Sequence, residues 1–168
     1  MNAILAMTKD GGIGKNGTIP WHYSEDLKLF KHMTTGHVVV MGRKTFDSLG
    51  KKVLPDRKNI ILSKTFGGDK EQFRLRTGIQ IIDDPSKLKD ILTEEEYKDC
   101  YIIGGSEIYK AFSDEITNYL ISEIKKDHEC DTFFDKSILE DFDKELVHEG
   151  EDFDVVAYIR KDGSSSKS

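Results

Sequence analysis

Apolar residues along this chain alternate between two rhythms. Short unbroken runs, "NAILAM" (2–7), "HVVVM" (37–41), "NIIL" (59–62), "IQII" (79–82) and "CYIIG" (100–104), are rich in Ile and Val, the pattern of strands buried on both faces. Between them, apolar positions recur at helical spacing. Residues 24–33, "SEDLKLFKHM", place Leu27, Leu29, Phe30 and Met33 on one arc at about 100° per residue, with Ser24 as the expected N-cap. Shorter helices are expected in "KTFDSL" (44–49), in "PSKLKDIL" (85–92), opened by Pro85, and in "SEIYKAF" (106–112). Strands separated by crossover helices form a parallel sheet covered on both faces. The last third differs: "NYLISEI" (118–124), "KELVHEG" (144–150) and "FDVVAYIRK" (153–161) read as strands with short connections that close the sheet antiparallel. The expected fold is α/β: one domain, residues 1–161, with a central, mostly parallel twisted sheet, antiparallel C-terminal edge strands and helices on both faces. Residues 163–168, "GSSSKS", belong to an expected flexible tail, residues 162–168.

One position breaks the helical pattern. Asp26 falls near the middle of the apolar arc of residues 24–33, one turn before Phe30. An acid in a first turn gains about 0.3–1 kcal/mol from the helix dipole, which accounts for the residue type but not for its face. A carboxylate aimed into apolar surroundings needs a partner, and no basic residue of this helix shares its side. A ligand with adjacent N–H donors would supply two charge-assisted hydrogen bonds.

Composition narrows the setting. A chain of 168 residues, 37% hydrophobic and 33% charged, suits one globular domain. No apolar run reaches the roughly 20 residues of a membrane span, and "MNAILAMTKDGG" lacks the basic n-region of a signal peptide, so no membrane partner and a cytoplasmic location are expected. Two cysteines, Cys100 and Cys130, are too few for a disulfide framework. "HEC" (128–130) could form half a metal site, but no second pair stands at ligand spacing, and no metal is expected. The net charge of −6 opposes a nucleic-acid partner. Yet residues 43–64 carry seven basic and two acidic side chains, which suits either a solvated surface or an anion site.

The glycines of residues 12–17, "GIGKNG", match the dinucleotide fingerprint G-x-G-x-x-G, but that fingerprint must open a helix. Here "TIPWHY" follows, and Pro20 and Trp21 continue no helix. Residues 8–19 are therefore read as a glycine-rich mobile loop able to act as a lid. Phosphate chemistry is expected instead at three strand ends: Gly42 to Thr45, Ser63 with Lys64, and Gly104 to Ser106. Each is an ordinary turn by itself. Together they suit an extended, multiply phosphorylated ligand, and cations at two of them fit NADPH better than NAD.

The segments "GIGKNGTIPWHYSEDLKLFKHMT", "VVVMGRKTFDSLG", "LPDRKNIILSK", "YIIGGSEIY" and "CDTFF" occur in the order and spacing of dihydrofolate reductase. The chain resembles that family over residues 1–161, with no single short motif bearing the likeness. The resemblance implies a small-molecule substrate, dihydrofolate, reduced by hydride transfer from NADPH to pterin C6 with protonation of N5. It makes Asp26 the carboxylate that accepts from the pterin N3–H and 2-amino group, and Trp21 the residue that positions a water. Ile4, Ala6, Leu27, Phe30, Leu49 and Leu54 match the apolar walls around the substrate, Arg57 the grip on its glutamate carboxylate, and Ser122 the hydroxyl behind Asp26, where many members have threonine.

For NADPH the resemblance implies that Arg43, Ser63 and Lys64 clamp the adenosine 2′-phosphate, while Lys44 and Thr45 meet the pyrophosphate. Ala6, Ile13, Gly14 and Ile19 would meet the nicotinamide side. Ile103, Gly104, Gly105, Ser106, Glu107, Ile108 and Tyr109 form the second phosphate-binding turn, with a cis Gly104–Gly105 peptide. Asp131 matches an acid that steadies the lid, and Lys51 replaces a common arginine. Members of the family are often monomers. A same-fold pyrimidine reductase and a non-catalytic NADPH-binding protein are the competing readings; Asp26 and Arg57, suited to a pterin and a glutamyl carboxylate, separate them.

Overall fold

Val38, Val39, Val40, Met41 and Gly42 are all buried, as expected of a strand covered on both faces. The computed structural model describes residues 1–161, and the expected tail at 162–168 lies outside them. In chain order the strands are β1 (Asn2–Met7), β2 (Gly12–Gly14), β3 (Val38–Gly42), β4 (Lys58–Leu62), β5 (Gln80–Ile82), β6 (Tyr101–Ile102), β7 (Asn118–Ile124), β8 (Thr132–Phe133), β9 (Phe142–Glu149) and β10 (Phe153–Arg160). The helices are α1 (Ser24–Thr34), α2 (Arg43–Ser48), α3 (Lys70–Thr77), α4 (Leu88–Ile91), α5 (Glu94–Asp99) and α6 (Ser106–Ala111). Pro85–Lys87 and Lys136–Asp141 form 3₁₀ turns.

Eight strands make one sheet in the order β5-β4-β3-β6-β1-β7-β10-β9. The first six in that order pair in parallel. Strand β7 thus corrects the sequence reading: it runs parallel to β1 over Asn2–Met7, because the chain reaches it after the α6 crossover and re-enters from the same end. Only β10 runs against the rest of this sheet, pairing antiparallel with β7 on one side and β9 on the other. Alternate residues feed two cores. Val38, Val40, Ile60 and Leu62 join Leu88, Ile108 and Phe112 on one face. Val39, Met41 and Ile61 join Phe46, with Phe30, Met33 and Phe73 packed against them, on the other. Helices α1, α2 and α3 therefore cover one face, and α4 and α6 the opposite one.

Local departures have local causes. Ser24 is not the N-cap of α1: Tyr23 holds that place in extended geometry, and its carbonyl accepts from the Asp26 and Leu27 amides. Helix α3 was not expected, since four of its eight residues are charged and only Phe73 and Leu75 are apolar; Asp69 caps its start and Gly78, left-handed at φ 79°, ends it. Helix α5 was also missed, although Thr93 and Glu96 form a reciprocal capping box. Within residues 8–19, Gly12–Gly14 forms β2 and pairs with β8. The fingerprint-like glycines open no helix, as expected, and the chain instead turns between Lys15 and Thr18.

Candidate active site

The sheet order brings three of the singled-out segments side by side. Strands β4, β3 and β6 are neighbours, so Ser63 with Lys64, Gly42 to Thr45 and Gly104 to Ser106 leave the same edge of the sheet. Ser63 is buried, whereas Arg43, Lys44 and Lys64 are exposed. The Gly42 amide donates to the Gly104 carbonyl at 2.9 Å, fastening two of these ends together. A Cβ on Gly42 would lie 2.9 Å from Ile108 Cγ1, so only glycine lets α6 approach this closely. The Gly104–Gly105 peptide is cis.

Strand β6 pairs with β1 only through Asn2↔Tyr101 and Ala3↔Ile102, while its chain keeps bonding toward β3 as far as Gly104. Past Ala3 the two strand ends part. The Ile4 carbonyl, left without a β6 partner, accepts from the buried Tyr109 hydroxyl at 2.9 Å. Tyr109 and Ile108, both expected at the cofactor, thus turn their side chains inward and serve to fasten α6.

On the other side of β1, Ala6 lies opposite Ser122 of β7, and the Ser122 hydroxyl donates to Asp26 Oδ1 at 2.6 Å. The oddly placed carboxylate of α1 is therefore seated where β1 and β7 end. Burial pushes its pKa up, and the Ser122 hydrogen bond pulls it partly back. Trp21 is buried in a small cluster with Ile124, Phe153 and Val155, against which Ala6 and Leu29 pack. Its ring lies 5.2 Å from that of His128, whose Nε2 is buried without a partner. The sequence offered His128 only as half of a metal pair; among the described residues no three metal-ligating side chains converge.

The apolar expectations divide. Ile4 is buried, and Phe30, Leu49 and Leu54 are partly buried against the core. Leu27, expected on the buried arc, is 50% exposed, and Ile19 in the loop is 58% exposed. Arg57 is half-buried beside this wall. Its Nη1 donates to Thr34 Oγ1 at 3.0 Å, its Nε donates to the Pro55 carbonyl at 2.9 Å, and Phe30 lies under its face at 6.0 Å. Thr34 was not singled out in the sequence, because its role depends on Arg57, 23 residues away. A concave volume of about 550 Å³ opens elsewhere, at the amino ends of β3 and β4. Asp56, Glu95, Glu96 and Asp99 line it, a poor match for an anionic ligand, and it meets this site only through Arg57.

The glycine-rich loop is tied down on one side. Asp131 Oδ2 accepts from the Asn16 amide at 3.0 Å, Lys15 pairs with Glu129 at 2.7 Å, and the Asp131 amide donates to the Gly14 carbonyl at 2.9 Å. Hydrogen bonding to the Asn16 amide holds the Asp131 carboxyl below its usual range. Ile13 packs against the main core, while Ile19 stays open.

Comparison with known proteins agrees with this fold. A family model described as dihydrofolate reductase matches residues 1–158. The dihydrofolate reductase of Mycoplasma genitalium is 35% identical over 162 residues, which is 95% of this chain and 97% of that protein. The bifunctional dihydrofolate reductase-thymidylate synthase of Paramecium tetraurelia is 34% identical over 143 residues, but this chain spans only 29% of its length. Among solved structures, dihydrofolate reductase from Enterococcus faecalis, complexed with NADP(H) and RAB-propyl, superposes with a TM-score of 0.78 at 28% identity, covering 96% of each chain.

Proposed function

The chain belongs to the dihydrofolate reductase family, and from that premise we propose how its residues divide the work. The protein is an NADPH-dependent oxidoreductase that reduces dihydrofolate to tetrahydrofolate. When bound, NADPH supplies the hydride, which passes to C6 of the pterin while N5 gains a proton.

The donors at the cofactor end fit such a molecule. Arg43, Ser63 and Lys64 offer two full charges and a hydroxyl for a phosphate on the adenosine ribose, and Lys44 and Thr45 lie one helical step away for the pyrophosphate. The turn from Ile103 to Ser106, with Glu107, frames the second phosphate approach. Ala6, Ile13, Gly14 and Ile19 border the nicotinamide side, where the loop excludes water from the reacting carbons.

The observation that carries the substrate assignment is the half-buried Asp26 carboxylate, held by Ser122 at 2.6 Å in a site that raises its pKa. Asp26 accepts from pterin N3–H and the 2-amino group and favours the protonated ring. It does not reach N5, so a water held beside Trp21 delivers that proton. Ile4, Ala6, Leu27, Phe30, Leu49 and Leu54 wall the ring and its aryl extension. Arg57, fixed by Thr34 and Pro55, grips the tail carboxylate. The assignment is that of a monomer acting on a small molecule, and we place it in the cytoplasm. Mixing pure protein with dihydrofolate and NADPH should make the near-ultraviolet absorbance fall steadily. A folded protein that leaves the absorbance constant contradicts the assignment.

A further inference from the structure

We propose that Phe66 is a positioning residue for cofactor choice: its ring holds the Arg43 guanidinium in the orientation that receives a ribose phosphate. The proposal rests on the reading of Arg43, Ser63 and Lys64 as the phosphate clamp. Arg43 is an exposed side chain at the start of a short helix. Its one ion pair among the described residues, Nε to Asp47 Oδ1 at 3.3 Å, spans one turn at the surface and orders a long side chain weakly. A second hold is present. The Arg43 Cζ lies 5.3 Å from the centre of the Phe66 ring, within cation–π range.

The ring is itself fixed. Phe66 meets Phe73 of α3 edge to face at 5.2 Å, and Phe73 meets Phe46 edge to face at 6.3 Å. Phe46 is buried in α2, three residues after Arg43. The chain of contacts therefore starts and finishes on the same helix: Phe46, Phe73, Phe66, Arg43. Helix α3, whose length and charge gave no reason for its presence, supplies the middle link. Phe66 also follows Ser63 and Lys64 by three and two residues, so one loop carries two of the phosphate donors and the ring that aligns the third. Asp47 occupies the Nε edge and Phe66 one face. The two terminal amino groups of the guanidinium are left to meet a phosphate in a planar, two-pronged fashion. A preorganised fork loses less on binding than one that must be ordered by the ligand.

The test measures dissociation constants of NADPH and NADH for the full chain and for Phe66→Leu, Phe66→Tyr, Arg43→Ala and the Arg43→Ala/Phe66→Leu pair. Thermal unfolding of each variant confirms that it is folded. Phe66→Leu should weaken NADPH about two- to five-fold, the worth of an exposed cation–π contact, without moving NADH, and Phe66→Tyr should restore NADPH binding. In the Arg43→Ala background, Phe66→Leu should add nothing, because the two side chains act through one interaction. Equal losses for both cofactors on Phe66→Leu, or an undiminished loss in the Arg43→Ala background, would make Phe66 a structural residue and overturn the proposal. If Arg43→Ala itself weakens NADPH and NADH alike, the clamp reading fails and this proposal with it. If Arg43→Ala discriminates and Phe66→Leu does not, only the role of Phe66 is refuted.

Discussion

Asp26 carries the plainest conflict between stability and function in this protein. Burial raises its pKa, with only the Ser122 hydroxyl opposing the shift. Between the unfolded and folded pKa values the folded state binds more protons than the unfolded one, so stability falls as pH rises through that window. Above it, the full cost of the buried charge is present. Asp26→Asn removes the charge and keeps an acceptor for Ser122. The ligand-free variant should therefore melt higher than the parent at pH 7, and the gain should vanish as pH falls to about 4, where the unfolded carboxyl protonates. Thermal unfolding across that range checks it, and a variant less stable than the parent at pH 7 would contradict the burial argument. The face of Asp26 was legible from helical spacing alone. The exposure of Leu27 was not, because one helix's periodicity cannot separate a face toward the sheet from a face toward a cleft. The inward turn of Tyr109 was hidden too, since it depends on the carbonyl of Ile4, 105 positions earlier in sequence, where β6 parts from β1.

Elements were legible in proportion to their apolar content. The five interior runs and α1 all fold as expected, since each has a face or a pair of faces to bury. Helix α3 has no fully buried residue, and its Leu75 is 73% exposed; it is held through Phe73, a contact that only the fold supplies. Helix α5 spans six residues, too short for periodicity to register, although its capping pair stands in the sequence. The glycine-rich loop has the composition of a mobile lid, and the β2–β8 pairing restrains it on one side. Gly12, opposite Phe133 in that pairing, is also crowded by Cys130: a Cβ there would lie 2.5 Å from Cys130 Sγ and 2.8 Å from Thr8 Oγ1. Gly12→Ala should force the two strands apart at a cost of about 1–3 kcal/mol. A lower melting temperature and faster hydrogen exchange at the Asn16 amide would report it. Unchanged exchange would mean that the loop is not anchored through β2.

For the whole molecule, function follows from strand order. The site gathers residues as far apart in sequence as Ile4 and Ser122 because β1 is inserted between β6 and β7. That insertion sets the strand ends proposed to bind phosphates on one side of β1 and the Asp26–Ser122 pair on the other. Alternating strands and helices foretold a parallel sheet, but not the order of its strands, and so not that β4, β3 and β6 would present their donors together. It also misjudged β7, whose direction depends on the crossover before it rather than on its own residues. The likeness to a known family filled those gaps residue by residue, and the geometry now gives each gap a physical cause. At the centre of the proposal stands one half-buried acid assigned to the substrate ring, and replacing it tests the account most directly. With NADPH and dihydrofolate saturating at neutral pH, Asp26→Asn should lower turnover about 10²- to 10⁴-fold while leaving the NADPH dissociation constant unchanged. A folded Asp26→Asn protein that turns over at the parent rate would contradict it.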